Sequence, residues 1–267
     1  MLEVEERGGI RVLTSDRLRR EWGIALAFSG RTGGVSVDPH ESLNLSYNVG
    51  DDRSRVTLNR NRMGVALGVP PGSWTMCRQV HGATVGEAGP LEKGRGGLDH
   101  LSGTPRTDAL VTATPGIAVG VLTADCLPLV LVAPRERCVA AVHSGWRGTL
   151  AGVAERALGR LMRLSSCPPE EVVAFAGPHI GRCCMEVDEA VAGGFRRKFG
   201  DGVVVSGRAG RDYLDLGAAC RGQLEDAGVP AESIFLSGVC TCCGEGYFSY
   251  RSSSGVTGRQ VGIVAVL

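Results

Sequence analysis

Three side chains of metal-ligand type stand at the ends of apolar runs: His81 after Trp74–Val80, Cys126 after Ile117–Leu122, and His143 after Cys138–Val142. Zinc accepts thiolate and imidazole, and catalytic zinc sites keep three protein ligands plus an open position. No two of the three are spaced like CxxC or HExxH, so residue type alone carries the metal reading. The bland alternative is two structural histidines and a cysteine serving as a small buried hydrophobe. A nucleophile–base pair, Cys126 with His143 or His81, is a further chemistry that the same residues support.

Local sequence favours display over burial. Leu127-Pro128 follows Cys126 and is expected to turn the backbone out of regular strand pairing. His143 opens Ser144-Gly145-Trp146-Arg147-Gly148, a glycine-flanked turn into a helix whose free N–H groups suit an anion, with Arg147 adding charge. Asp125, beside Cys126, either handles protons or caps the turn. A rival cluster is Cys240-Thr241-Cys242-Cys243 with Cys183-Cys184, thiols that suit a structural zinc or a redox pair. His40 and His100 fall in polar loops and are expected to be solvated.

Positioning these groups requires strands and helices in alternation of an irregular kind. Ile24–Phe28 reads as a strand, followed by the loop Ser29-Gly30-Arg31-Thr32-Gly33-Gly34-Val35-Ser36, a surface turn whose Arg31 is a candidate anion holder. A helix starts after Asp51 or Asp52, carries Val56, Met63 and Leu67 on its apolar face, and stops at Gly68. Asn59 and Arg60 lie on or beside that face, so they either tie down a loop or reach a ligand. Gly82–Thr107 reads as a long loop. One helix spans Leu150–Met162, with apolar residues at three-and-four spacing. Further helices carry Val187–Phe199 and Leu216–Ala227, and strands cover Val172–Phe175, Ile234–Val239 and Val261–Leu267. The expected fold class is α+β (mixed α/β), with mixed β-sheets covered by helices. Residues 1–23 are set apart as an N-terminal extension or edge strand, and 24–267 as a single domain.

Composition narrows the class. The 267 residues suffice for a sizeable core. No apolar run approaches a membrane span, and MLEVEERGG lacks a signal-peptide layout, so a cytoplasmic protein without membrane partners is expected. Net charge +1 with only short basic runs gives no support to a nucleic-acid surface. Ten cysteines in so large a chain point to reduced thiols rather than a disulfide scaffold.

The motifs Gln79-Val80-His81-Gly82, Thr123-Ala124-Asp125-Cys126-Leu127-Pro128 and His143-Ser144-Gly145-Trp146-Arg147-Gly148 resemble the signature of the laccase-domain, polyphenol-oxidase-type family of multifunctional purine nucleoside phosphorylases. The likeness continues through Asn59-Arg60, Gly177-Pro178-His179-Ile180-Gly181, Cys184-Met185-Glu186-Val187, Phe248-Ser249-Tyr250-Arg251 and Thr257-Gly258-Arg259. It implies a single catalytic laccase-like domain of cysteine-hydrolase-like fold, with zinc held by His81, Cys126 and His143. It also implies phosphorolysis of adenosine, inosine, guanosine and methylthioadenosine, and deamination of adenosine. Purine nucleosides and phosphate are then the partners, and a monomer is the expectation. Copper-dependent phenol oxidation is the older description, and the donor set suits Cu2+ as well as zinc. Candidate holders of phosphate or substrate are Arg60, Arg147, Arg251, Asn59 and Arg31, and Cys126, His81, His143 and Asp125 are the candidate catalytic residues. Ser252 stands where a second Arg is common, which removes one phosphate partner; Met185 replaces a common Tyr and Ser144 a common Ala.

Overall fold

The runs read as strands are apolar on both faces, and the fold buries both. In β10 (Cys138–Ser144) every residue is buried; Val139 and Ala141 face one apolar cluster while Ala140 and Val142 face another. Such continuous apolar strands belong inside a layered fold rather than at its surface. The computed structural model describes residues 2–207 and 210–267.

The chain begins with a hairpin, β1 (Glu3–Arg7) and β2 (Ile10–Thr14), then α1 (Asp16–Trp22) and β3 (Ile24–Ser29). A long loop leads to α2 (Arg53–Leu67), followed by β4 (Trp74–Arg78), β5 (Val85–Glu87), β6 (Thr104–Pro105) and β7 (Ala109–Thr112). β8 (Ala118–Thr123) and β9 (Leu127–Ala133) precede β10, after which come α3 (Trp146–Leu150), α4 (Val153–Ser165) and β11 (Val173–Ala176). The remainder is β12 (Glu186–Val187), α5 (Glu189–Phe199), β13 (Val204–Ser206), β14 (Asp212–Leu214), α6 (Leu216–Asp226), β15 (Ile234–Leu236) and β16 (Gln260–Val266).

A seven-stranded sheet runs β1-β2-β3-β16-β8-β4-β6, and a six-stranded sheet runs β15-β11-β9-β10-β7-β5. Both mix parallel and antiparallel pairs, and a three-stranded sheet, β12-β14-β13, stands apart from them. The two large sheets face each other across Leu26, Phe28, Val119, Val121, Val130 and Val264. The outer face of the seven-stranded sheet is covered by Met63 and Leu67 of α2 with Leu43 and Leu45. The outer face of the six-stranded sheet is covered by α4, α5 and α6 through Leu158, Leu161, Phe195 and Leu224. The result is one mixed α+β domain of helix, sheet, sheet, helix, as expected.

The path of the chain places the site. The connection from β4 to β5 and the connection from β8 to β9 both pass from the seven-stranded sheet to the six-stranded one. His81 lies on the first, Cys126 on the second, and His143 stands in β10 opposite Pro128 of β9. The donors therefore meet where the chain changes sheets.

Several expectations need correction. β4 ends at Arg78 and His81 adopts φ +58°, so His81 is delivered by a turn and not by strand alternation. Pro128 does not break pairing; it is the second residue of β9, and the backbone is turned instead by Asp125 at φ +88°. The helix expected over Leu150–Met162 is two helices, because Gly152 takes φ +77° between α3 and α4. The five-residue α3 is too short to present a helix N-terminus to an anion. Gly82–Thr107 is not wholly loop, since it holds β5 and β6, and the strand expected over Ile234–Val239 stops at Leu236.

α2 begins where expected: the Asp52 carboxylate accepts from the N–H groups of Ser54 and Arg55, and Gly68 closes the helix in the left-handed region. Its two polar residues tie down loops. Asn59 is fully buried, accepts from the Val35 N–H, and donates to Ser36 Oγ and the carbonyls of Ser42 and Asn44. Arg60 donates to the carbonyls of Leu45, Gly96 and Gly97 and stacks on Tyr47, its guanidinium 4.5 Å from the ring centre. Replacing Asn59 with Ala strands several buried groups, and the urea unfolding free energy is expected to fall by about 3 kcal/mol at unchanged m value. A variant of wild-type stability with a raised substrate KM would instead mean that Asn59 touches ligand.

Candidate active site

His81, Cys126 and His143 converge: one potential ligand atom from each lies within 4.8 Å of the others. The two imidazoles meet edge to face, with ring centres 4.8 Å apart. Gly145 lines the third side, and a Cβ there would sit 3.0 Å from Cys126 Sγ and 3.3 Å from His81 Cδ2. A residue larger than glycine would thus press on two of the three donors. No separation in sequence signals this convergence; it comes from the two sheet-changing turns and the end of β10.

Asp108, fully buried, organises the donors. Its carboxylate lies 2.9 Å from His143 Nδ1 and accepts the His81 N–H at 2.9 Å and the Gly82 N–H at 2.8 Å, with the Val80 N–H also within reach. Its own carbonyl accepts the His143 N–H. Burial alone would raise the carboxyl, but the His143 hydrogen bond and the backbone N–H groups outweigh it and hold the group below its ordinary value. A carboxylate on Nδ1 leaves Nε2 of His143 free to face the cluster, the arrangement in which a histidine binds metal. Asp108 was not singled out from the sequence, because an acidic residue ahead of a strand looks like any strand start.

The electrostatics favour a charged thiol. Burial would raise Cys126, yet His143 and then His81 overcome this and draw it down to about 6. Burial would lower His143, but Cys126 and Asp108 lift it to about 9. Thiolate and imidazolium therefore coexist between those values in the metal-free site; a soft electrophile would find the thiolate reactive, and zinc would take the thiolate with His143 giving up its proton.

The donors open into a cavity of about 700 Å³. Its walls include Ile180, Met185 and Leu216, and its polar lining includes Asn48, His100 and Thr123. Thr123 Oγ1 is buried and has no partner among the described residues. Arg147 and Arg251, candidate anion holders, line the cavity, and so do Arg106 and Arg259. Arg147 stacks on Trp146 at 4.2 Å, while Arg251 donates to the carbonyls of Cys184 and Glu186.

Three candidate holders lie elsewhere. Asn59 and Arg60 are committed to loops as described, and Arg31 donates to the Glu41 carbonyl and packs on Phe248. Asp125 lines the cavity, but its oxygens accept from the Thr241 hydroxyl and the Arg251 N–H, both at 2.7 Å, so it is placed as a holder of loops. His40 is not solvated: it is buried, with Nε2 3.0 Å from the Val49 carbonyl, and His100 belongs to the cavity. Ser252 is exposed and bonded to Ser249, outside the cavity lining.

Residues 25–267 match the model of a family described as multi-copper polyphenol oxidoreductase laccase. The chain belongs to this family. It is 35% identical over 246 residues to purine nucleoside phosphorylase YlmD of Geobacillus stearothermophilus, covering 91% of this chain and 90% of that one. It is 38% identical over 240 residues to a purine nucleoside phosphorylase of Deinococcus radiodurans, covering 90% and 88%. Among solved structures, YlmD superposes with a TM-score of 0.87 at 35% identity over 91% of this chain and 92% of that one. The Bacillus licheniformis protein YfiH gives 0.91 at 27% identity over 99% of both chains.

Two outcomes test the site. Asp108→Asn should weaken metal binding about 10- to 100-fold, measured by competition with a chromophoric chelator. In metal-free protein, alkylation of Cys126 by iodoacetamide should rise through about pH 6; onset only in the ordinary thiol range would remove the ion pair.

Proposed function

We propose that the chain is a zinc-dependent purine nucleoside phosphorylase acting on adenosine, inosine, guanosine and methylthioadenosine, with adenosine deaminase activity in the same cavity. The observation that carries this reading is the His81–Cys126–His143 donor set at the head of an arginine-lined cavity, in a chain whose relatives are named purine nucleoside phosphorylases. One thiolate and two imidazoles, the second fixed by Asp108, fit zinc. Zinc bound there supplies Lewis acidity and lowers the pKa of water toward neutrality.

The remaining steps fall to the chain. Arg147 and Arg251 draw phosphate into the cavity and hold it against the sugar, where positioning and charge dominate the barrier. Ile180, Met185 and Leu216 give the purine an apolar wall that displaces water. His143, kept in one orientation by Asp108, and His81 hold Cys126 as the thiolate that the metal takes. Asp125 keeps the Thr241 and Arg251 loops in place. The ten free thiols suit a reducing cytoplasm.

The laccase description fits this chain less well. Of its five histidines, His40 and His179 are buried with ring nitrogens on the Val49 and Gly177 carbonyls, which leaves too few imidazoles for several copper centres.

Metal analysis paired with product detection from adenosine tests the proposal. Adenine should appear only with phosphate present, and inosine without it. Cys126→Ala should remove one zinc equivalent and both activities, and Arg147→Met should raise the phosphate KM about tenfold with little change in kcat. Full nucleoside cleavage by Cys126→Ala at unchanged metal content would sink the assignment.

A further inference from the structure

The cysteines left aside by this chemistry form a second cluster. Cys183 and Cys184 lie on the segment between Ile180 and β12; Cys240 and Cys243 lie on the turn after β15. Cys183 and Cys243 are 60 positions apart in the chain, yet the sulfurs of all four lie within 4.8 Å of one another. Cys242 is partly buried against the helical core and stands outside the set.

We propose that Cys183, Cys184, Cys240 and Cys243 bind a structural zinc ion. Zinc–sulfur bonds of about 2.3 Å place the sulfurs of a tetrahedral site about 3.8 Å apart. Cys183 Sγ and Cys243 Sγ are separated by 3.6 Å, close to such an edge and far beyond a disulfide bond. Cys240-Thr241-Cys242-Cys243 supplies a C-x-x-C half-site, the local spacing of structural zinc sites. The turn is already closed, with the Gly244 N–H on the Cys240 carbonyl at 2.9 Å. The Gly181 N–H donates to Cys240 Sγ at 3.2 Å, a backbone hydrogen bond of the kind that stabilises a ligating thiolate. Four thiolates with no imidazole or carboxylate favour a closed site over a catalytic one.

The two segments are also joined by backbone hydrogen bonds, such as the Thr241 N–H on the His179 carbonyl and the His179 N–H on the Val239 carbonyl. The first segment also carries Ile180 and Met185 of the cavity wall, and Thr241 on the second bonds Asp125, which itself lines the cavity. A zinc ion here would pin that wall without touching substrate. This inference stands independently of the nucleoside reading.

Metal counting by inductively coupled plasma and native mass spectrometry on the full chain tests it. Wild-type protein purified under reducing conditions should hold two zinc equivalents. The double variant Cys183→Ser with Cys243→Ser should lose one and keep the other, whereas Cys126→Ala should show the converse. Cys243→His should retain both. Should the double variant not fold, cobalt(II) exchange into wild-type protein decides, with the intense sulfur-to-cobalt charge-transfer bands of a four-thiolate site expected. The assignment is overturned by unchanged zinc in the folded double variant, by absent tetrathiolate bands, or by a Cys183–Cys243 disulfide in freshly purified protein.

Discussion

The buried Asp108 carboxylate is the constraint on which the rest of the site depends. A carboxylate with no solvent contact must find donors within the protein, and Asp108 finds them in His143 and in the backbone of Val80, His81 and Gly82. One group thereby joins the six-stranded sheet, through β10, to the turn that leaves the seven-stranded sheet. It sets the orientation of one imidazole directly and of the other through the backbone. The thiol then answers to both imidazoles, and Gly145 leaves the room that their approach requires.

The legible parts of this design were those written in local pattern. Apolar runs marked the strands, Asp52 and Gly68 marked the ends of α2, and His81, Cys126 and His143 stood out by type. Their proximity was not legible from spacing, because it arises from strands that are neighbours in space and distant in sequence, and the family resemblance supplied that link. Asn59 and Arg60 show the opposite difficulty. Polar residues on a buried face signal a buried partner, but whether that partner is a loop carbonyl or a ligand is decided by the fold around them. The Pro128 expectation failed for a related reason. Proline lacks an N–H, yet it fits β9 opposite His143, and the turn was made by the aspartate ahead of the cysteine.

The cavity is divided in origin as well as in chemistry. Two metal donors come from the sheet-changing turns and the third from β10, while Arg147 sits in α3 and Arg251 on a turn held by carboxylate and carbonyl contacts. Arg251 illustrates the economy of this arrangement: its N–H fixes Asp125, its guanidinium fixes the carbonyls of Cys184 and Glu186, and the same residue faces the cavity. Positive charge is thus presented on braced backbone, which limits the side-chain freedom lost when an anion binds.

The placement of β16 bears on how the molecule is made. Gln260–Val266 is inserted between β3 and β8, in the middle of the seven-stranded sheet, although it follows every other strand in the chain. During synthesis β3 and β8 must wait as open edges until these residues have left the ribosome, and open edges are templates for pairing with other chains. Cys126 and His143 lie on elements that β8 and β9 align, so a nascent chain has all three donors long before it has the sheet that holds them in register. Closure of this sheet therefore waits on β16, which locks together two strands made well before it.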